Sequence, residues 1–279
     1  MNTRPWVVSG IVLMLMATAV AAQQQTQPQA SSSQSYLGFD KNDYPGDQNL
    51  SALRRSFSYA GFWLSNPPGM TTDPWAGKRT TIRAAGFGFL LLFNGRLDAA
   101  LKVRDATAMG REDGRAAVAA ARREGFPAGA VIFLDQEEGG GLLEEQAAYL
   151  GAWIAAVDHS TYKTGVYCSG IAVAAGSKQV STAQDIAARF PTAKLWVWND
   201  VCPPSPGCLP ARALDPKRSG TGQAWVWQFA RSPRSNEGTD RCRATYAPDN
   251  GCYAPGLPHS PETFVDLDVS RSVDPSQGR

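Results

Sequence analysis

Eight short apolar runs punctuate the chain, at 36–40, 59–64, 87–94, 129–137, 163–168, 193–198, 223–230 and 263–269, and few folds accommodate that number at that spacing. Each run is of strand length. The first five are separated by helical or turn segments, the alternating order that builds a parallel sheet. Helices are predicted over 49–57, 75–85, the alanine-rich 111–124, 142–157 and 182–190. The 142–157 segment carries the clearest apolar stripe, Leu143, Ala147, Leu150 and Ile154. Within 279 residues this pattern predicts an α/β chain folded as a single (β/α)8 TIM-type barrel. Irregularity is expected in its last third, because 202–220 and 232–260 are long polar loops with no helical period. An open doubly wound sheet is the alternative. Against it, Gly139-Gly140-Gly141 lacks dinucleotide spacing and no GxxxxGK sequence occurs.

The fourth run is unbroken and apolar from Ala130 to Leu134, as in a strand covered on both faces, and it ends in Asp135, Gln136, Glu137 and Glu138. Strand geometry sends Asp135 and Glu137 to one side, with α-carbons roughly 6.6–7 Å apart. Two carboxylates aimed together are costly unless they are solvated or used. Other runs also end in polar groups: Asp40, Asn94, Asn199 with Asp200, Gln228, and Asp266 with Asp268. In a barrel such ends converge on one mouth, where a site is built; the alternative is that strand ends are polar because they meet water. Trp196 with Trp198, and Trp225 with Trp227, are spaced so that each pair shares a face. They suit stacking on sugar rings, with Tyr167 and Tyr36 as hydroxyl partners, or ordinary packing against outer helices. A serine nucleophile has little support. Ser169 is not in a GxSxG context, and His159 and His259 are the two histidines of the chain.

Arg4, an apolar run over 6–20 and small residues at 19–22 have the layout of a secretory signal. The expected organisation is a signal peptide over 1–22, a flexible Gln- and Ser-rich leader over 23–35, the barrel over 36–271 and a flexible tail over 272–279. No stable membrane anchor is expected after cleavage. In an exported protein, Cys202 with Cys208 and Cys242 with Cys252 would close short loops, although spacing does not fix the pairing. Cys168, inside an apolar run, reads as a buried thiol. Neither cysteine pair has histidines at zinc spacing, so no metal is expected. With 27 Lys and Arg against 25 Asp and Glu, the charge balance argues against a nucleic-acid partner.

Three segments, Leu37-Gly38-Phe39-Asp40, the Ala130 to Glu137 run and Gly165-Val166-Tyr167-Cys168-Ser169, together resemble a known group. The sequence is similar to the glycoside hydrolase-like domain of unknown function found in a mycobacterial exported protein. More distantly it resembles the lysozymes of glycoside hydrolase family 25. The likeness runs over about 37–269. It implies matching roles for Asp40, for Asp135 with Glu137, for Trp227-Gln228-Phe229 and for Asp266 in Val265-Asp266-Leu267-Asp268. Glu137 would be the general acid. Asp135 and Asp266 would position it, balance its charge, or assist an attacking N-acetyl group. The chain departs from the lysozymes in having Asp268 where they commonly have Asn, and in its long cysteine-bearing loops.

The resemblance implies a monomeric, exported glycoside hydrolase acting on a bacterial cell-wall glycan such as peptidoglycan, without metal or cofactor. The substrate-binding set would be Tyr167, Trp196, Trp198, Trp227, Gln228 and Asp268. A catalytically inactive carbohydrate-binding or envelope-scaffold protein is the alternative. Glycosidic cleavage needs a protonated carboxyl at the leaving oxygen and a second group for the developing positive charge. Asp135 beside Glu137 would disfavour ionising both, and so keep a proton on Glu137.

Overall fold

The apolar runs form the staves of a closed barrel. The computed structural model describes residues 1–2, 34–200, 214–231, 252–260 and 263–279. The expected signal and nearly all of the leader lie outside the described residues, as do Cys202, Cys208 and Cys242. Cys252 is described and buried, and Cys168 is a buried thiol as expected.

In chain order the strands are β1 (Tyr36–Asp40), β2 (Tyr59–Trp63), β3 (Gly88–Asn94), β4 (Val131–Gln136), β5 (Lys163–Ser169), β6 (Val173–Ala175), β7 (Lys178–Val180), β8 (Lys194–Trp198), β9 (Ala224–Ala230) and β10 (Asp266–Ser270). The helices are α1 (Leu50–Arg54), α2 (Arg79–Ala84), α3 (Asp98–Leu101), α4 (Ala106–Arg123), α5 (Glu144–Asp158) and α6 (Thr182–Arg189). Going round the barrel, the order is β1, β2, β3, β4, β5, β8, β9, β10 and back to β1. The short β6–β7 hairpin, an addition between β5 and α6, forms its own two-stranded sheet. Helix α4 begins five residues before its predicted start because Asp105 caps it, its side chain accepting from the Ala108 amide at 3.1 Å.

From β1 to β9 every neighbouring pair is parallel, but β10 runs antiparallel to both β9 and β1. The irregularity expected in the last third is therefore a reversal of the closing strand. The connection after β9 starts and finishes at the same end of the barrel. Asp266 consequently reaches the mouth from the N-terminal end of its strand, where it pairs in register with Asp40.

Alternation sorts each strand into an inner and an outer face. Two inward positions are glycine because a large ring crosses them. A Cβ on Gly38 would lie 2.0 Å from the Tyr59 ring, and one on Gly165 would lie 2.4 Å from that of Phe133. Outside the barrel, Phe62, Phe89, Phe126 and Trp75 meet edge to face with centroids 5.1–6.0 Å apart, filling the layer under α2.

Residues 272–279, expected to be a flexible tail, are instead docked across the lower ends of β3 and β4. The Phe89 amide donates to Asp274 Oδ1 at 2.8 Å and the Leu91 amide to Ser276 Oγ at 2.9 Å. The Val131 amide donates to the Ser276 carbonyl at 2.8 Å. These polar residues belong to the fold because they satisfy strand amides that would otherwise end without partners.

Candidate active site

Four carboxyl groups from three strands meet at the mouth. Asp40 ends β1, Asp135 lies near the end of β4, Glu137 follows that strand in the same alternation, and Asp266 opens β10. They line a cavity of about 270 Å³ that also includes Tyr167, Trp198, Gln228 and Arg231. That volume can take a sugar-sized group, and Trp196, which is fully buried, closes the floor. Ser169 is in the wall, but neither histidine is: His259 stacks on Tyr253 and His159 lies at the end of α5.

The acids differ in depth. Asp135 is 3% exposed, whereas Glu137 stands at the rim and meets solvent. Burial pushes the Asp135 carboxyl well above its ordinary range, and the charges of Glu137 and Asp40 push it further. Glu137 is also raised by desolvation, since the cavity walls crowd the side that water does not reach. The Arg231 charge and a hydrogen bond from Asp135 oppose that rise. A hydrogen bond between two carboxyls requires one to be protonated. Burial thus weighs more heavily on Asp135 than on Glu137, and favours the protonated form most at the deeper carboxyl.

A second carboxyl pair lies beneath. Asp268 is sealed from solvent; its Oδ1 accepts from Trp196 Nε1 at 2.9 Å. Burial, then the charge of Asp40 and a hydrogen bond to it, raise Asp268 well above the carboxylate range. Asp40 is raised to about 6 by burial, with hydrogen bonds from Gln228 and Asp268 acting against the rise. Gln228 Nε2 donates to Asp40 Oδ2 at 2.8 Å, which turns its Oε1 towards Tyr167, whose hydroxyl donates to it at 2.8 Å. Tyr167, Gln228 and Asp40 thus form one hydrogen-bonded chain along the cavity wall, with the Trp196–Asp268 pair beside it.

Of the residues singled out in the sequence, Asp40, Asp135, Glu137, Asp266, Tyr167, Trp196, Trp198 and Gln228 are brought together here. Trp227 and Asp268 are not in the lining. Parity paired the tryptophans correctly, but β9 places Gln228 inward, so Trp227 points out of the barrel, donating Nε1 to the Asn199 carbonyl at 2.9 Å. Asp268 lies below the cavity, too deep to touch a ligand. Trp196 is floor: its ring is wedged against Tyr167 at 4.8 Å and Phe133 at 6.0 Å. Trp198 is half-buried and already carries the Arg231 guanidinium 4.2 Å from its ring centre. Arg231 went unnoticed in the sequence. It follows β9 by one residue, and Asp200, beyond β8, holds its Nε at 2.8 Å. A cation next to an acid-lined strand end was the available signal.

The barrel and its acid-lined mouth define a glycoside hydrolase-like class of protein. Residues 54–240 match the model of the Rv2525c-like, glycoside hydrolase-like domain, and the chain belongs to that family. Among solved structures, it is similar to an uncharacterized B. stearothermophilus protein, with 20% identity and a TM-score of 0.52 over 84% of this chain and 95% of that one. It is similar also to the Mycobacterium tuberculosis Tat-secreted protein Rv2525c in complex with HEPES, with 13% identity and a TM-score of 0.50 over 88% and 98% of the two chains. A family 25 glycosyl hydrolase from Bacillus anthracis shares 13% identity at a TM-score of 0.48, over 85% of this chain and 89% of that one. At these identities the likeness is one of fold. A comparison with curated proteins finds no significant match.

Proposed function

We propose that the protein is an exported glycoside hydrolase acting on bacterial cell-wall glycan, with Glu137 as the acid that protonates the leaving oxygen. One observation carries this reading: a pair of carboxyls, Asp135 deep and Glu137 at the rim, opens onto a cavity of about 270 Å³. Bound glycan displaces water from the rim, which raises Glu137 further and draws the shared proton outward from Asp135. Glu137 then gives it to the glycosidic oxygen as the bond from that oxygen to the anomeric carbon breaks; water adds to the carbon and its released proton returns to the carboxyl pair. Asp40 and Asp266, paired across β1 and β10, supply the negative charge that offsets the positive charge developing on the sugar ring. Gln228 and Tyr167 hold Asp40 in place. The apolar N-terminal run and small residues at 19–22 support export with cleavage after residue 21 or 22.

A second reading, a glycan-binding protein without turnover, is favoured by Arg231, whose charge draws Glu137 towards the ionised state. Wild type and Glu137→Gln separate the two. Both proteins are incubated with purified peptidoglycan, and sedimentation and released soluble fragments are measured. The hydrolase reading expects both to sediment with the glycan and the wild type alone to release fragments. Binding by both with release by neither supports the second reading.

A further inference from the structure

Building on the hydrolase reading, we infer that Glu138 is a positioning residue that fixes the direction of Glu137. Consecutive residues in an extended segment point to opposite sides, so an anchor on Glu138 sets where Glu137 aims. Glu137 lies just past β4, and beyond Glu138 come Gly139, Gly140 and Gly141, which have no side chains with which to hold the loop. Glu138 supplies that hold. A single oxygen, Oε2, accepts from the Asp98 amide at the start of α3 at 2.8 Å and from Gln146 Nε2 in α5 at 2.5 Å. Gln146 is buried, and its Oε1 accepts from the Leu143 amide at 2.9 Å, so it cannot swing away with the loop. The Glu138 carbonyl accepts from Thr182 Oγ1 of α6 at 3.4 Å. At the far side of the glycines, the Leu142 amide donates to Asp185 Oδ2 at 2.8 Å.

Three separate elements thus grip the residue beside the proposed acid, while the acid itself stands at an open rim. A loosened loop would let Glu137 turn into water and away from Asp135, losing both its geometry and its desolvation.

The test compares Glu138→Ala with Glu138→Gln. The amide oxygen of glutamine can take the place of Oε2 and accept both bonds, so it keeps the anchor without the charge. On peptidoglycan, Glu138→Ala is expected to lower kcat on the order of 10- to 100-fold with KM within about twofold, and Glu138→Gln to recover most of the rate. In parallel, carbon-13 NMR follows the Glu137 carboxyl, assigned by its loss in Glu137→Gln. Its titration should move acidward in Glu138→Ala and return in Glu138→Gln. An unchanged kcat or an unmoved Glu137 titration in folded Glu138→Ala overturns the inference. If even the wild type shows no turnover, the hydrolase reading fails, and the Glu137 titration alone still decides whether Glu138 positions its neighbour.

Discussion

Replacing Asp268 with asparagine should make the protein more stable at neutral pH. The side chain is sealed inside the barrel, and burial with Asp40 alongside holds its carboxyl protonated well above the usual range. In the unfolded chain the same group ionises near 3.9. Keeping its proton at pH 7 therefore costs stability, about 1.4 kcal/mol for each pK unit by which the folded value exceeds the unfolded one, up to pH 7. The sign follows from proton binding: the folded state holds a proton that the unfolded state has released. Stability from this group is greatest below pH about 4 and is lost as pH rises towards the folded value. Asparagine has nearly the same shape. Its Oδ1 can accept from Trp196 as the carboxyl does, so that contact persists while the proton linkage disappears. The assay is urea unfolding of wild type and Asp268→Asn at pH 7 and near pH 3.5. At pH 7 the variant should gain stability, each kcal/mol appearing as roughly 2–4 °C in Tm for a domain of this size, and at the lower pH little of that gain should remain. A loss of stability at pH 7, or an equal gain at both values, would refute the reasoning.

The rate of glycan cleavage should fall as pH rises through the raised value of the Asp135–Glu137 pair, because the pair then loses the proton it transfers; a profile of kcat/KM against pH checks this, and a rate still climbing at about pH 9 speaks against it. Gly165→Ala places a methyl 2.4 Å from the Phe133 ring and should cost about 1–3 kcal/mol in denaturant unfolding. Deleting residues 273–279 removes the partners of the Phe89, Leu91 and Val131 amides, and should destabilise the barrel by roughly 3–9 kcal/mol, measured in the same way.

The staves of the barrel were legible because each carries a continuous apolar run, and the parity of Asp135 and Glu137 followed from strand geometry alone. Direction was not legible. An apolar run such as 263–269 reads the same whether its strand runs parallel or antiparallel, so the reversal of β10 had no local signature. Parity likewise paired Trp225 with Trp227 but could not say which face was inside; that is decided by Gln228, which turns inward to Asp40. The docked tail was hidden for a related reason. Ser276 and Asp274 are polar residues of the kind that ends chains in solvent, and their burial depends on amides of β3 and β4 that sequence does not display. Arg231 and Glu138 lie just beyond strand ends, where no periodicity distinguishes a placed side chain from a solvated one.

The central claim is that Glu137 drives glycosidic hydrolysis. Purified peptidoglycan is digested in water enriched in oxygen-18, and the fragments are analysed by mass spectrometry. The wild type should yield new reducing-end sugars carrying one heavy oxygen, and Glu137→Gln none. Label-bearing ends produced equally by both proteins, or by neither, would contradict it.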